Sequence, residues 1–190
     1  MSAPSLGSVL GGNSVEPRSV VDGATGILFF DLNQPVVGNG TVDAWQIYAG
    51  QKSGIGQVEL LIFRPGANSW AFVGASPLET VTWGSANTFA LPSPIAVQTG
   101  DLVGWWYPQG TVPSVTYDQA VGQSLYNYNW ASDPIPETHT DLPNLFTTAW
   151  HGPWNGDART YSIQVLGTLP EPAVLSCIGL TALMLARRCR

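Results

Sequence analysis

The chain has 190 residues, a net charge of −6 and charged side chains at only 11% of positions, against about 25% in an average soluble protein. With 21 Gly, 15 Pro, 8 Trp and two cysteines, the composition excludes a coiled coil, a collagen repeat and a disulfide-dense scaffold. The first 172 residues hold four basic side chains (Arg18, Lys52, Arg64 and Arg159) and every acidic one, a net −9. Such a body repels phosphate backbones, so no nucleic-acid partner is expected.

Residues 1–22 are rich in Ser, Gly and Pro and read as a flexible N-terminal segment. From Gly23 to Gly167, short apolar or alternating runs are separated by turn signals such as Asn39-Gly40, Pro65-Gly66 and Gly100-Asp101. The runs are 27–31, 41–49, 57–64, 70–75, 80–83, 87–91, 95–98, 102–107, 114–117, 125–130, 146–149 and 160–166. Leu60 to Phe63 is apolar on both faces, as a central strand requires. No fixed-period repeat and no long helical pattern interrupts them. The expected fold over 23–168 is all-β, an antiparallel two-sheet β-sandwich of jelly-roll-like character.

Catalytic signals are sparse. Ser76 and Ser124 each follow a Gly-X pair but lack the second glycine of a strained nucleophile elbow. His139 and His151, the two histidines, are too far apart for a helical zinc pair. Asp133, Glu137, Asp141 and Asp157 concentrate in one loop-rich stretch, and loop carboxylates with backbone carbonyls are what calcium takes. They are calcium candidates without an EF-hand spacing; no other cofactor is expected. Two carboxylates across a cleft would suit glycoside hydrolysis, yet no pair stands out.

Aromatic rings are the feature above background. Tyr126, Tyr128 and Trp130 alternate with Leu125, Asn127 and Asn129, so a strand puts the three rings on one face. Trp105 and Tyr107 likewise share a face, with Trp106 opposite. Trp154 lies in a Pro/Gly/Asn loop. Rings of this kind stack on sugar C–H faces, or else fill a sandwich core. Tyr126, Tyr128, Trp130 and Trp154 are therefore glycan-binding candidates, with Trp105 and Trp106 assigned to the core.

The C-terminal segment 169–190 has its own logic. Pro170 and Pro172 punctuate it, and Ala173 to Ala186 carries no charge. At ~1.5 Å per residue that run makes a hydrophobic helix about 21 Å long, which snorkelling arginines would extend toward the ~30 Å membrane core. Arg187, Arg188 and Arg190 follow and would hold the C-terminus cytoplasmic. Pro170-Glu171-Pro172, the apolar run and the arginine cluster together resemble the PEP-CTERM sorting signal of bacterial exosortase substrates. The resemblance implies an exported protein held transiently in the inner membrane by its tail. A membrane-embedded exosortase-type enzyme would process it, leaving it extracellular or at the cell surface, in a setting of extracellular polysaccharide and biofilm. Met1 to Val20 shows neither a basic n-region nor an apolar h-region, so no secretory leader is visible in this chain. The function expected is that of a non-enzymatic surface or matrix protein that binds polysaccharide. The alternatives are a secreted carbohydrate-active hydrolase on the same scaffold and a purely structural matrix component.

Overall fold

The computed structural model describes residues 7–23, 25–66, 70–128 and 155–170. In chain order the strands are β1 (Ser8–Gly12), β2 (Val20–Val21), β3 (Ile27–Asp31), β4 (Gly40–Ala49), β5 (Gln57–Pro65), β6 (Trp70–Ala75), β7 (Glu79–Thr80), β8 (Ser85–Val97), β9 (Leu102–Trp106), β10 (Thr116–Tyr128), β11 (Asn155–Tyr161) and β12 (Ile163–Thr168). They form two antiparallel sheets. The smaller has the order β1-β12-β4-β8; the larger runs β11-β10-β3-β9-β5-β6, with β2 beside β10 and β7 beside β5.

Period-two alternation builds the sandwich. Along β4, Val42, Trp45 and Ile47 are fully buried while Gln46 and Tyr48 are partly exposed, because successive side chains leave a strand on opposite faces. The inward set meets Ile27 and Phe29 of β3, Leu60 and Ile62 of β5, Trp105 of β9, Tyr161 of β11 and Val165 of β12 in one core. Trp105 stacks on Phe29 at 5.2 Å between ring centroids and meets Tyr161 edge-on at 4.5 Å. Fully burying such a side chain stabilises by roughly 1.5–3 kcal/mol.

β3 and β5 are buried on both faces. Leu28, Phe30, Leu61 and Phe63 form a second apolar cluster on the other side of the larger sheet, joined by Trp106. Phe30 meets Phe63 edge-on at 4.6 Å. The fit depends on Gly104, where a Cβ would come within 2.9 Å of the Phe30 ring and 2.7 Å of the Phe29 carbonyl oxygen. Trp105 and Tyr107 thus enter the central core, and Trp106 enters the second cluster.

The structure differs from the sequence expectation in five places. Of the run 80–83 only Thr80 lies in a strand, the two-residue β7 beside β5, and the chain turns at Trp83-Gly84. Part of the Ser/Gly/Pro-rich lead segment is built into the sheets: β1 pairs with β12 and β2 with β10. Gly12 permits the close approach: it has φ +82°, and a Cβ there would come within 2.4 Å of the Ile163 carbonyl oxygen. The runs 87–91 and 95–98 belong to one strand, β8. Pro92 and Pro94 lie where the ladder jumps from Ala44↔Ala90 to Val42↔Ile95, on a sheet edge, so neither removes a needed donor. The runs 114–117 and 125–130 likewise join within β10, whose pairing to β11 breaks between Gln119 and Ser124 around Gly122 (φ +86°). Finally, 160–166 is two strands in different sheets, with the chain crossing over at buried Ser162. The run 146–149 and the helix over 173–186 lie outside the described residues.

Candidate functional site

The outer face of the smaller sheet carries a polar row assembled from three strands. Register places Gln164 of β12 opposite Gln46 of β4, and Gln46 opposite Thr88 of β8. The Gln164 amide donates to Gln46 Oε1 at 2.6 Å, and the Gln46 amide donates to Thr88 Oγ1 at 2.8 Å. All three amide and hydroxyl dipoles therefore point the same way. The row still holds Gln164 Oε1 as an acceptor, the Thr88 hydroxyl as a donor and a second N–H on each amide.

Along β4 the row is flanked on both sides. Tyr48, one step along β4, is tied down by its hydroxyl donating to the Gly84 carbonyl at 3.0 Å. On the other side, the Thr41 and Thr168 hydroxyls donate to the two oxygens of Asp43 at 3.0 and 3.2 Å. Small residues, Ala44, Ala86 and Ala90, occupy neighbouring outward positions. The face is half-exposed and presents paired donors and acceptors, and among the described residues no basic side chain takes part in its hydrogen bonds.

The cations of the body are committed elsewhere. Arg18 pairs with Asp118 at 2.9 Å and Glu16 at 3.2 Å. Lys52 donates to the Asp22 carbonyl. Arg159 donates to the Tyr161 hydroxyl at 3.0 Å and lies over the Tyr117 ring at 4.4 Å. Arg64 clasps Asp101 through Nε and Nη2 at 2.8 and 2.9 Å.

Among the described residues, four acids are buried. Asp22 accepts from the hydroxyls of Tyr107 and Tyr161, and burial pushes its carboxyl up to about 7 against those bonds and the charge of Arg159. Asp31 accepts from the Asn13 amide and, at 2.7 Å, the Asn33 backbone N–H, yet burial still raises it to about 6. Burial raises Glu59 to about 8. Asp101 is fully buried behind Arg64. Among these, Asp22 and Asp31 work as internal ties: Asp22 holds the lead segment to Tyr161 of β11 and to Tyr107, just past β9, and Asp31 holds β3 to Asn13 of the lead segment.

Of the glycan candidates, Tyr126 and Tyr128 lie on β10, opposite Phe29 and Ile27 of β3, and Tyr126 is also opposite Asn155 of β11. Those β3 partners belong to the strand positions that fill the central core. Asp157, one of the four calcium candidates, stands in β11 opposite Ser124. Trp130, Trp154, Asp133, Glu137 and Asp141 lie outside the described residues, as do Glu171, Pro172, Arg187, Arg188 and Arg190 of the sorting motif. Pro170 is exposed, two residues after β12 ends. The polar row was missed from sequence. Alternation along β4 points Gln46 outward, but nothing local identifies Gln164, 118 positions away, as its partner.

In comparisons with known proteins, no family model, no curated protein and no solved structure matches the chain.

Proposed function

We propose that this is an exported, non-enzymatic β-sandwich protein of the cell surface or extracellular matrix, which binds neutral polysaccharide on the outer face of its smaller sheet. The cross-strand row Gln164–Gln46–Thr88 carries the reading. Sugar hydroxyls donate and accept at once, and an amide row with both capacities left over matches them without a charge. The Tyr48 ring beside the row supplies an edge of aromatic surface of the kind sugar C–H faces pack against. Jelly-roll-like connectivity accords with the way β3, β4, β5 and then β8, β9 alternate between the two sheets. Export and transient membrane anchoring rest on Pro170-Glu171-Pro172, the uncharged run and the terminal arginines, which an exosortase-type enzyme would process.

The test is to titrate the full chain with a panel of bacterial exopolysaccharides, reading tryptophan fluorescence and reducing-sugar release together. Saturable binding without release is expected. Release of sugar would turn the reading to a hydrolase, and silence in both channels to a structural matrix component. For the tail, fractionation of producing cells is expected to find the protein in the membrane or outside, shortened near Pro170. Full-length protein free in the cytosol would overturn the sorting claim.

A further inference from the structure

A groove of about 490 Å³ lies between the free edges of the two sheets, where β6 ends the larger and β8 ends the smaller. Its size suits a small ligand or one chain end. The two edges meet at Gly74, where a Cβ would come within 2.8 Å of the Ile95 side chain, so the groove is shut there. It is lined by Phe72, Val73 and Val97, and by the polar groups of Arg64, Asn39 and Gln98.

These polar groups are held in place from behind. Asp101, fully buried, takes Arg64 Nε on one carboxylate oxygen and Arg64 Nη2 together with the Gln98 backbone N–H on the other. The turn that supplies Asp101 is Thr99-Gly100-Asp101, closed by the Asp101 N–H on the Gln98 carbonyl at 3.1 Å, with Gly100 at φ +94°. Thr99 in turn fixes the opposite lip: its hydroxyl accepts from Gly38 N–H at 2.9 Å and its N–H donates to Asn39 Oδ1 at 3.2 Å.

This leaves a donor-rich mouth. A guanidinium has five N–H groups, and the side-on clasp of Asp101 uses two. The three that remain include the end-on pair of Nη1 and Nη2, the fork that matches a second carboxylate. Asn39 has spent its oxygen on Thr99, so its Nδ2 hydrogens are what it can offer. Arg64 keeps about a third of its side chain exposed, so the fork is reachable.

We propose that this groove binds a carboxylate-bearing sugar unit, a uronate, with its carboxylate on the outer fork of Arg64 and the Asn39 amide and its ring against Phe72 and Val73. The choice of a sugar rests on the polysaccharide reading above; the arginine geometry does not. The site is separate from the neutral row on the outer face of the smaller sheet. One protein would then grip two chemically distinct parts of a polysaccharide.

The experiment is isothermal titration of the full chain with digalacturonate, with the same dimer as its neutral methyl ester, and with acetylated dialanine as a peptide carboxylate. The acid is expected to bind, to weaken as salt is added, and to bind at least tenfold more tightly than the ester or the peptide. Arg64→Lys, which keeps the charge but not the fork, should lose most of that preference. Asn39→Asp is the variant safest for the fold, since an oxygen still faces the Thr99 N–H; it should cost at least tenfold by placing a second carboxylate at the mouth. Equal binding of ester and acid, or no binding of the acid, would overturn the proposal, as would an unchanged affinity in folded Asn39→Asp. Tighter binding of the peptide would overturn the sugar assignment. Binding of neutral polysaccharide to the Gln46 face, measured in parallel, separates failure of this site from failure of the polysaccharide reading itself.

Discussion

The Tyr107 hydroxyl donates to the buried Asp22 carboxylate at 2.8 Å and accepts the Val115 backbone N–H at 3.1 Å. One side chain just past β9 thus ties the segment after β2 to the approach to β10. Tyr161 of β11 closes the same knot from the other side at 3.2 Å. No apolar contact could hold three separate chain segments in so specific an arrangement, because each bond has a direction as well as a distance.

That knot sets a pH dependence. Burial raises Asp22 to about 7, Asp31 to about 6 and Glu59 to about 8. Above an ordinary carboxyl value of about 4, the unfolded chain has released these protons while the fold still holds them. The folded state then binds more protons, so stability is greatest near pH 4 and falls as pH rises toward 8. Asp118, lowered by the Ser19 N–H and Arg18, has the opposite sign but acts only below pH 4. Melting temperatures should therefore fall from about pH 5 to pH 8. Asp22→Asn should flatten the part of that slope below about 7. A melting temperature that rises over this interval would contradict the assignment.

The lead segment should prove part of the fold. Leu10 is 3% exposed and packs in the central core from β1. Leu10→Ala is expected to cost about 2–5 kcal/mol, as buried leucine truncations do, measured by urea unfolding. Gly12→Ala should also destabilise, since Gly12 has φ +82° and a Cβ there would meet the Ile163 carbonyl oxygen at 2.4 Å. A segment that merely lay on the surface would tolerate both changes within about 0.5 kcal/mol.

Trp105 should be the costliest core residue of β9. It is fully buried, stacked on Phe29 and edge-on to Tyr161. Trp105→Ala is expected to cost about 3–5 kcal/mol. Its ring nitrogen is buried without a hydrogen-bond partner, so Trp105→Phe, which removes that polar atom and keeps a ring, should cost clearly less. Equal losses in the two variants would mean that loss of the indole itself, and not the cavity left by alanine, sets the cost.

On the polar face, Gln46→Ala breaks the row at its centre, and Gln164→Ala removes one end. Both should weaken neutral polysaccharide binding by about tenfold, the scale of one lost hydrogen-bonding group. Stability should shift by no more than about 0.5 kcal/mol, since the outer face is half-solvated. Tryptophan-fluorescence titration beside thermal melts checks both. Unchanged affinity in the double variant would remove the face as the binding site.

The strands with strong local patterning were legible from the residues alone. β3 and β6 fall on their expected bounds, and β4, β5 and β9 differ by a residue at one end, because period-two burial and flanking Gly or Pro are features of neighbouring residues. β1 was not legible: Ser8–Gly12 has little apolar pattern of its own, and its place depends on β12, far along the chain. The joining of β8 across Pro92 and Pro94 likewise depends on where β4 bulges.

The same division holds for the sites. Sequence by itself determined an acidic, aromatic-rich all-β body and a punctuated apolar tail with terminal arginines. It did so because charge, composition and alternation are local sums. Only the tertiary structure decided that Gln164 meets Gln46, that Asp101 sits behind Arg64, and that Tyr107 and Tyr161 converge on Asp22. Those are choices of strand partner and register between distant segments. They are settled by which pairing buries the apolar faces together, and the polar groups then meet wherever that packing brings them.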